Sequence, residues 1–194
     1  MLRLLIDRVG PLPKGRDADR PAPGDHYGAL LRAIVGQQLS TKAARAIYGR
    51  LLDHFGGSTP SPEQVLDAEP EAMRAAAGLS RSKVGFLRSL AEHVISGELE
   101  LDRIAGLDDG EIVAELTAVK GLGTWTAHMF LMFQLERPDV LAVGDLGIRR
   151  AIERAYSLPA LPEAAEIEGI AEPWRPHRTT ACRYLWRSLD ATPG

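Results

Sequence analysis

Three features of the sequence predict an all-α fold. Apolar residues recur at helical spacing through nearly every long segment, capping residues open those segments, and strand-like alternation is confined to short isolated runs such as "DVLAV". A chain of 194 residues suffices for one compact domain or two small lobes. Apolar residues at 45% and charged residues at 25% are globular values, so a folded core is expected. No run of eighteen apolar residues occurs, which argues against a membrane span. The opening "MLRLLIDRVGPLPKG" has too short an apolar stretch, and no small-residue cleavage site, to read as a secretory signal. A single cysteine, Cys182, excludes an internal disulfide, a cysteine-built zinc site and an iron–sulfur cluster. A cytoplasmic protein is the plain expectation.

The elements follow in order. The first two dozen residues are rich in Pro, Gly and charge and are expected to wrap the surface. From Asp25, "DHYGALLRAIVGQQ" places Tyr27, Leu30, Leu31, Ile34 and Val35 on one side of a helix. A second helix, "STKAARAIYGRLLDHFGG", is capped by Ser40 and closed by Gly56 and Gly57. "TPSPEQVLDA" starts a short helix with Ser61 as cap and Pro62 in the first turn. "PEAMRAAAG", "SRSKVGFLRSLAEHVISG" and "LDDGEIVAELTAV" continue the pattern. "TWTAHMFLMFQL" is apolar all round, which predicts a buried helix. "DLGIRRAIERAY" and "RTTACRYLWRSL" complete the set, with no internal repeat and no low-complexity tract.

The net charge of −3 weighs against a nucleic-acid partner, but the charge is unevenly spread. Glu98 to Glu115 holds seven acidic residues against Arg103 alone, and Glu163 to Glu172 holds four without a base. Arg149, Arg150 and Arg154 form one basic group, and Arg175, Arg178, Arg183 and Arg187 another. Two readings stay open: a basic face that binds DNA despite the total, or simply solvated helix faces. The histidines, His26, His54, His93, His128 and His177, lack metal-ligand spacing, so no catalytic metal is expected.

"VKGLGTW", Val119 to Trp125, is too glycine-rich for a helix interior yet lies between two helical patterns. Gly121 and Gly123 can adopt backbone angles that other residues resist, so the two helices form a tight hairpin. Amides opening the following helix lack partners and sit at its positive dipole end, which suits a phosphate, and Lys120 adds a point charge. A plain structural turn is the competing reading.

The stretch "LTAVKGLGTWTAHMFLMFQLERPDVLAVGDLGIRRA" resembles the helix-hairpin-helix DNA glycosylases, whose signature is this hairpin, a Pro/Gly-rich loop and an aspartate. "IVGQQLSTKAARAIYGRL", "GLSRSKVGFLRSLA" and "WRPHRTTACRYLW" look like successive blocks of the 3-methyladenine DNA glycosylase II branch, in the right order, over roughly residues 25 to 190. Larger members carry an N-terminal β-rich domain for which this chain has no room. The resemblance implies two helical lobes around a DNA-binding cleft: residues 25–135 as a six-helix lobe holding the helix-hairpin-helix, and residues 1–24 with 136–194 as the second.

Asp145 reads from its position as a helix N-cap, and the resemblance places the family's catalytic aspartate on it; Asp139 does not align. A fixed carboxylate stabilises the positive sugar that develops as an N-glycosidic bond breaks, and can orient or deprotonate the attacking water. A leaving base that is already cationic needs no general acid. Relatives that also cut the strand carry a lysine just after the hairpin, where this chain has Trp125; the implied enzyme is monofunctional and forms no Schiff base.

Trp125 and Trp186 match family positions that line the base pocket, with large core residues as the alternative, and cation–π attraction there would favour alkylated bases. Met129 and Leu146 stand where larger enzymes have tyrosine. By the same resemblance the flipped-out nucleotide's gap is plugged from "GQQLS", by Gln38 and Leu39, unless Gln37 and Gln38 merely finish a helix. Lys120, Gly121, Gly123 and Thr126 are the implied phosphate contacts, and the backbone carbonyls of Thr117, Val119 and Leu122 the implied ligands of a structural Na+ or K+. The resemblance therefore implies an enzyme acting on alkylated bases such as 3-methyladenine in duplex DNA, expected to be monomeric and cofactor-free. Two other classes remain: a non-catalytic hairpin module for DNA binding, and a helical protein-interaction domain.

Overall fold

The computed structural model describes residues 1–12 and 25–190, and among them the secondary structure is helical with no strand. The chain divides into two compact units, Met1–Arg16 together with Leu131–Gly194, and Asp17–Phe130.

The Asp17–Phe130 unit contains α2 (His26–Gly36), α3 (Thr41–His54), α4 (Pro62–Asp67), α5 (Pro70–Ala77), α6 (Arg81–Ser96) and α7 (Asp109–Ala118), and α8 (Thr124–Phe133) begins in it. Side chains that bond the backbone locally set the starts. Asp25 Oδ1 accepts the amide of Gly28 at 2.7 Å, Ser40 caps α3, and Ser61 and Gln64 form a reciprocal capping box ahead of α4. Each such cap contributes about 1 kcal/mol. Asp108 and Glu111 form a second box at α7, while Arg103 pairs with Glu100 and Glu115. The acidic Glu98–Glu115 run is thus partly absorbed by caps and ion pairs. Leu30, Leu31, Ile34 and Val35 on α2 are fully buried, and α2 packs on α3 and α6.

In the other unit α9 (Leu146–Tyr156) packs against α11 (Arg178–Asp190), and α10 (Ala164–Ala171) buries Ile167 and Ala171 while its glutamates stay in solvent. The N-terminus departs from the surface wrap expected of it. Leu2–Val9 forms an amphipathic helix, α1, that buries Leu5 and packs on α11. An eight-residue helix is marginal by itself, so tertiary burial makes this one. Residues 13–24 of that expected wrap lie outside the described residues.

Two further expectations need correction. The helix "TWTAHMFLMFQL" is not buried all round: Ala127, Phe130, Leu131 and Met132 are, but Trp125 is 48% exposed. The hairpin needs only one of its glycines. Gly121 has φ +93°, and a Cβ there would collide with the Phe86 ring. A Cβ on Gly123 would meet nothing within 4 Å.

Candidate functional site

Asp145 precedes α9 and is its N-cap. Its Oδ1 accepts two hydrogen bonds, one from the Ile148 amide at 2.8 Å and one from the Trp186 indole Nε1 at 2.8 Å. The first is the local consequence of an aspartate at an N-cap. The second reaches across 41 residues to α11 and fixes the carboxylate's rotation about its side-chain bonds. Trp186 in turn stacks on Phe133, with ring centroids 5.9 Å apart and planes 29° apart. Gly147 completes the cluster. A Cβ at that position would lie 3.0 Å from Asp145 Oδ1 and 3.0 Å from Trp186 Cδ1, so the absent side chain lets the carboxylate and indole meet.

The loop that delivers Asp145 is held from α11 as well. Thr179 Oγ1 donates to the Arg137 carbonyl at 2.6 Å and accepts the Val140 amide at 3.0 Å. Asp139 accepts from Arg178 Nε at 2.7 Å and Nη2 at 3.0 Å, and from Arg175 Nη1 at 2.8 Å. Partial burial raises the Asp139 pKa, but the hydrogen bonds and charges of Arg178 and Arg175 outweigh it, and the net shift is downward. Asp139 is therefore spent on structure. Two members of the second basic group, Arg175 and Arg178, are paired with it rather than presented as bare cations. Cys182 is buried, with its sulfur 3.9 Å from the Val140 carbonyl; burial pushes its pKa up to about 11, with a smaller push from Asp145.

The other unit carries the hairpin. The amide of Leu122 donates to the Val119 carbonyl at 3.0 Å, closing the turn, and α8 opens at Thr124 with the Ala127 amide bonded to the Gly123 carbonyl. Lys120 and Gly123 are exposed, and Thr126 is 4% exposed, so among the expected phosphate contacts Thr126 presents little side-chain surface. The carbonyl of Gly121 is taken by Gln37 Nε2 at 2.7 Å. Thr117 lies in the last turn of α7, where helix carbonyls lack intrahelical partners and carry the negative dipole end. That donor chemistry, with a second lone pair on the Val119 carbonyl, suits a hard monovalent cation. Among the described residues no cluster of His, Cys, Asp or Glu could hold a metal ion.

The expected base-pocket residues fall in different units. Trp125 and Met129 belong to Asp17–Phe130, Trp186 and Leu146 to the other. Trp125 and Leu146 are each 48% exposed, and Met129 and Trp186 are partly buried. Gln38 and Leu39 are both exposed, and Gln38 has φ +58°. Sequence reasoning missed Gly147, Gln37, Lys83 and Phe86. A "DLG" at a helix start hints at the first, but the rest act through long-range contacts.

The chain belongs to the HhH-GPD superfamily of base excision DNA repair proteins, whose profile matches residues 31–176. It is similar to Schizosaccharomyces pombe DNA-3-methyladenine glycosylase 1, with 37% identity over 186 residues, 95% of this chain and 80% of that protein. The solved S. pombe 3-methyladenine DNA glycosylase in complex with abasic DNA has a TM-score of 0.84 at 35% identity, covering 98% of this chain and 91% of that one. A Bacillus halodurans DNA-3-methyladenine glycosidase has a TM-score of 0.81 at 38% identity, covering 96% and 83%. Among the described residues no helix is long and apolar enough to cross a membrane.

Proposed function

We propose that this protein is a monofunctional DNA glycosylase, acting as a cytoplasmic monomer, that removes cationic alkylated bases such as 3-methyladenine from duplex DNA. The observation that carries the proposal is the double clamp on Asp145 Oδ1 by the Ile148 amide and the Trp186 indole. A cap needs only the amide; a second, distant donor is what a carboxylate requires when its orientation matters for chemistry.

In this reading the duplex is held through the hairpin, by backbone amides at the start of α8 and by Lys120. A structural Na+ or K+, when bound at the Thr117, Val119 and Leu122 carbonyls, supplies positive charge to a DNA phosphate. The alkylated nucleotide is turned out of the stack, with Gln38 and Leu39 entering the space it leaves. Trp186, beside Asp145 in the same unit, offers a π-face to the cationic base, an attraction worth about 1–2 kcal/mol when desolvated. The glycosidic bond breaks with both electrons leaving on the base, which becomes neutral. Asp145 stabilises the oxocarbenium-like sugar and orients or deprotonates the water that attacks it. The products are free base and an abasic site.

Strand cleavage through a covalent imine is not part of this proposal, because the position after the hairpin is Trp125 and Lys120 lies within the turn. Methylated duplex DNA incubated with the protein, followed by chromatography of the released bases, tests the activity. Release of 3-methyladenine or 7-methylguanine, with no borohydride-trapped adduct, is the expected result. Binding without release would return the protein to a non-catalytic hairpin module, and a trapped adduct would refute monofunctional chemistry.

A further inference from the structure

The segment between α2 and α3 is built with a backbone conformation its sequence does not favour. Gln37 has φ −53° and ψ 131°, Gln38 follows at φ +58°, and the Leu39 amide donates to the Gly36 carbonyl at 3.2 Å. These are the features of a type II turn, in which the third position normally belongs to glycine. A glutamine held there is a strained residue that persists only where its surroundings enforce it.

Three hydrogen bonds do the enforcing. Lys83 Nζ, reaching up from α6, donates to the Val35 carbonyl at 2.7 Å and to the Gln37 carbonyl at 2.9 Å. It thereby satisfies carbonyls at the end of α2 and places a cation at that helix's negative end. From the same residue, the Gln37 side chain donates to the Gly121 carbonyl at 2.7 Å. One turn further along α6, the Phe86 ring occupies the space a Gly121 side chain would need. A single face of α6 therefore underlies both the Gln38 turn and the hairpin, and Gln37 ties one to the other.

We propose that Lys83 and Gln37 are positioning residues that preset the Gln38 turn for insertion into the duplex, locking it to the DNA-gripping hairpin as one rigid part. This rests on the glycosylase reading above. The hairpin holds the phosphates, and the turn then enters the helix without first having to be ordered. Lys83 is itself partly desolvated, and burial lowers its pKa.

The test uses a duplex containing a stable abasic-site analogue with 2-aminopurine opposite it, so insertion is read by fluorescence without catalysis. Wild type should change the fluorescence on binding. Lys83→Met, Gln37→Leu and Gln38→Gly should bind the same duplex within about threefold, since phosphate contacts carry most of the affinity, yet lose most of the fluorescence change. Gln38→Gly relieves the strained position, so it should keep or raise the melting temperature, which separates insertion from folding. Single-turnover excision should fall by about 10- to 100-fold for Lys83→Met on a fully paired duplex, the scale of a misplaced contact. The deficit should shrink to a few-fold where the lesion has no pairing partner, because extrusion is then easier.

A Lys83→Met protein with the wild-type fluorescence change would overturn the proposal. So would an excision deficit of equal size on both duplexes accompanied by a lowered melting temperature, the pattern of a purely structural lysine. Failure of the wild type to excise from either duplex would instead refute the glycosylase reading, while the fluorescence arm still decided the role of the turn.

Discussion

Replacing Trp186 by phenylalanine removes the indole N–H while keeping an aromatic ring against Phe133. In the native protein Asp145 Oδ1 has hydrogen bonds from Trp186 Nε1 and Ile148 N, each at 2.8 Å, so the substitution deletes one and leaves the cap. Hydrogen bonds to a charged group contribute about 1.5–3 kcal/mol. If that energy is expressed in holding the carboxylate against the developing sugar cation, single-turnover excision falls by about 10- to 100-fold. Loss of ring area alone would also lower the rate, so the assay is a cycle with Asp145→Asn. Where the indole acts through the aspartate, Trp186→Phe costs little in the Asp145→Asn background. A Trp186→Phe enzyme at the wild-type rate, or a cycle in which the two losses multiply, would refute the coupling.

The two hairpin glycines differ in what the fold asks of them: Gly121→Ala, which meets Phe86 at φ +93°, should lose about 2–4 kcal/mol of stability in thermal unfolding. Gly123→Ala, whose Cβ meets nothing within 4 Å, should stay within about 0.5 kcal/mol of wild type. Asp139 has a folded pKa below its unfolded one, so its contribution is present above the ordinary carboxylate range and is lost as pH falls through the folded value. Denaturant midpoints of wild type should therefore fall more steeply with acid than those of Asp139→Asn; parallel curves would show that the Arg178 pair contributes nothing. Cys182, buried with a pKa near 11, should resist thiol reagents at neutral pH until the protein is unfolded, and rapid labelling of the native chain would contradict its burial.

Much of the fold was legible because its signals are local. Asp25, Ser40, Ser61 and Asp145 bond amides three residues ahead, a pattern carried entirely by neighbouring sequence. What escaped depends on distant partners. The α1 helix exists because α11 covers Leu5, and Trp125 is exposed although its helix is apolar on every side. The parts of the candidate site that were missed share this property: Trp186 meets Asp145 across 41 residues, Gln37 meets Gly121 across 84, and Lys83 reaches Gln37 across 46. Periodicity cannot show such pairs. Gly123 is the opposite error, a glycine credited with a backbone need that Gly121 alone fulfils.

Asp145→Asn is the most direct test of the central claim, because an amide oxygen can still accept from Ile148 and Trp186 and only the charge is lost. Single-turnover release of 3-methyladenine from methylated duplex DNA should fall by at least about 100-fold, the scale of one electrostatic group aimed at a transition state. Affinity for an abasic-analogue duplex should remain within a few-fold of wild type. An Asp145→Asn protein that releases the base at the wild-type rate would contradict the account and leave Asp145 as a helix cap.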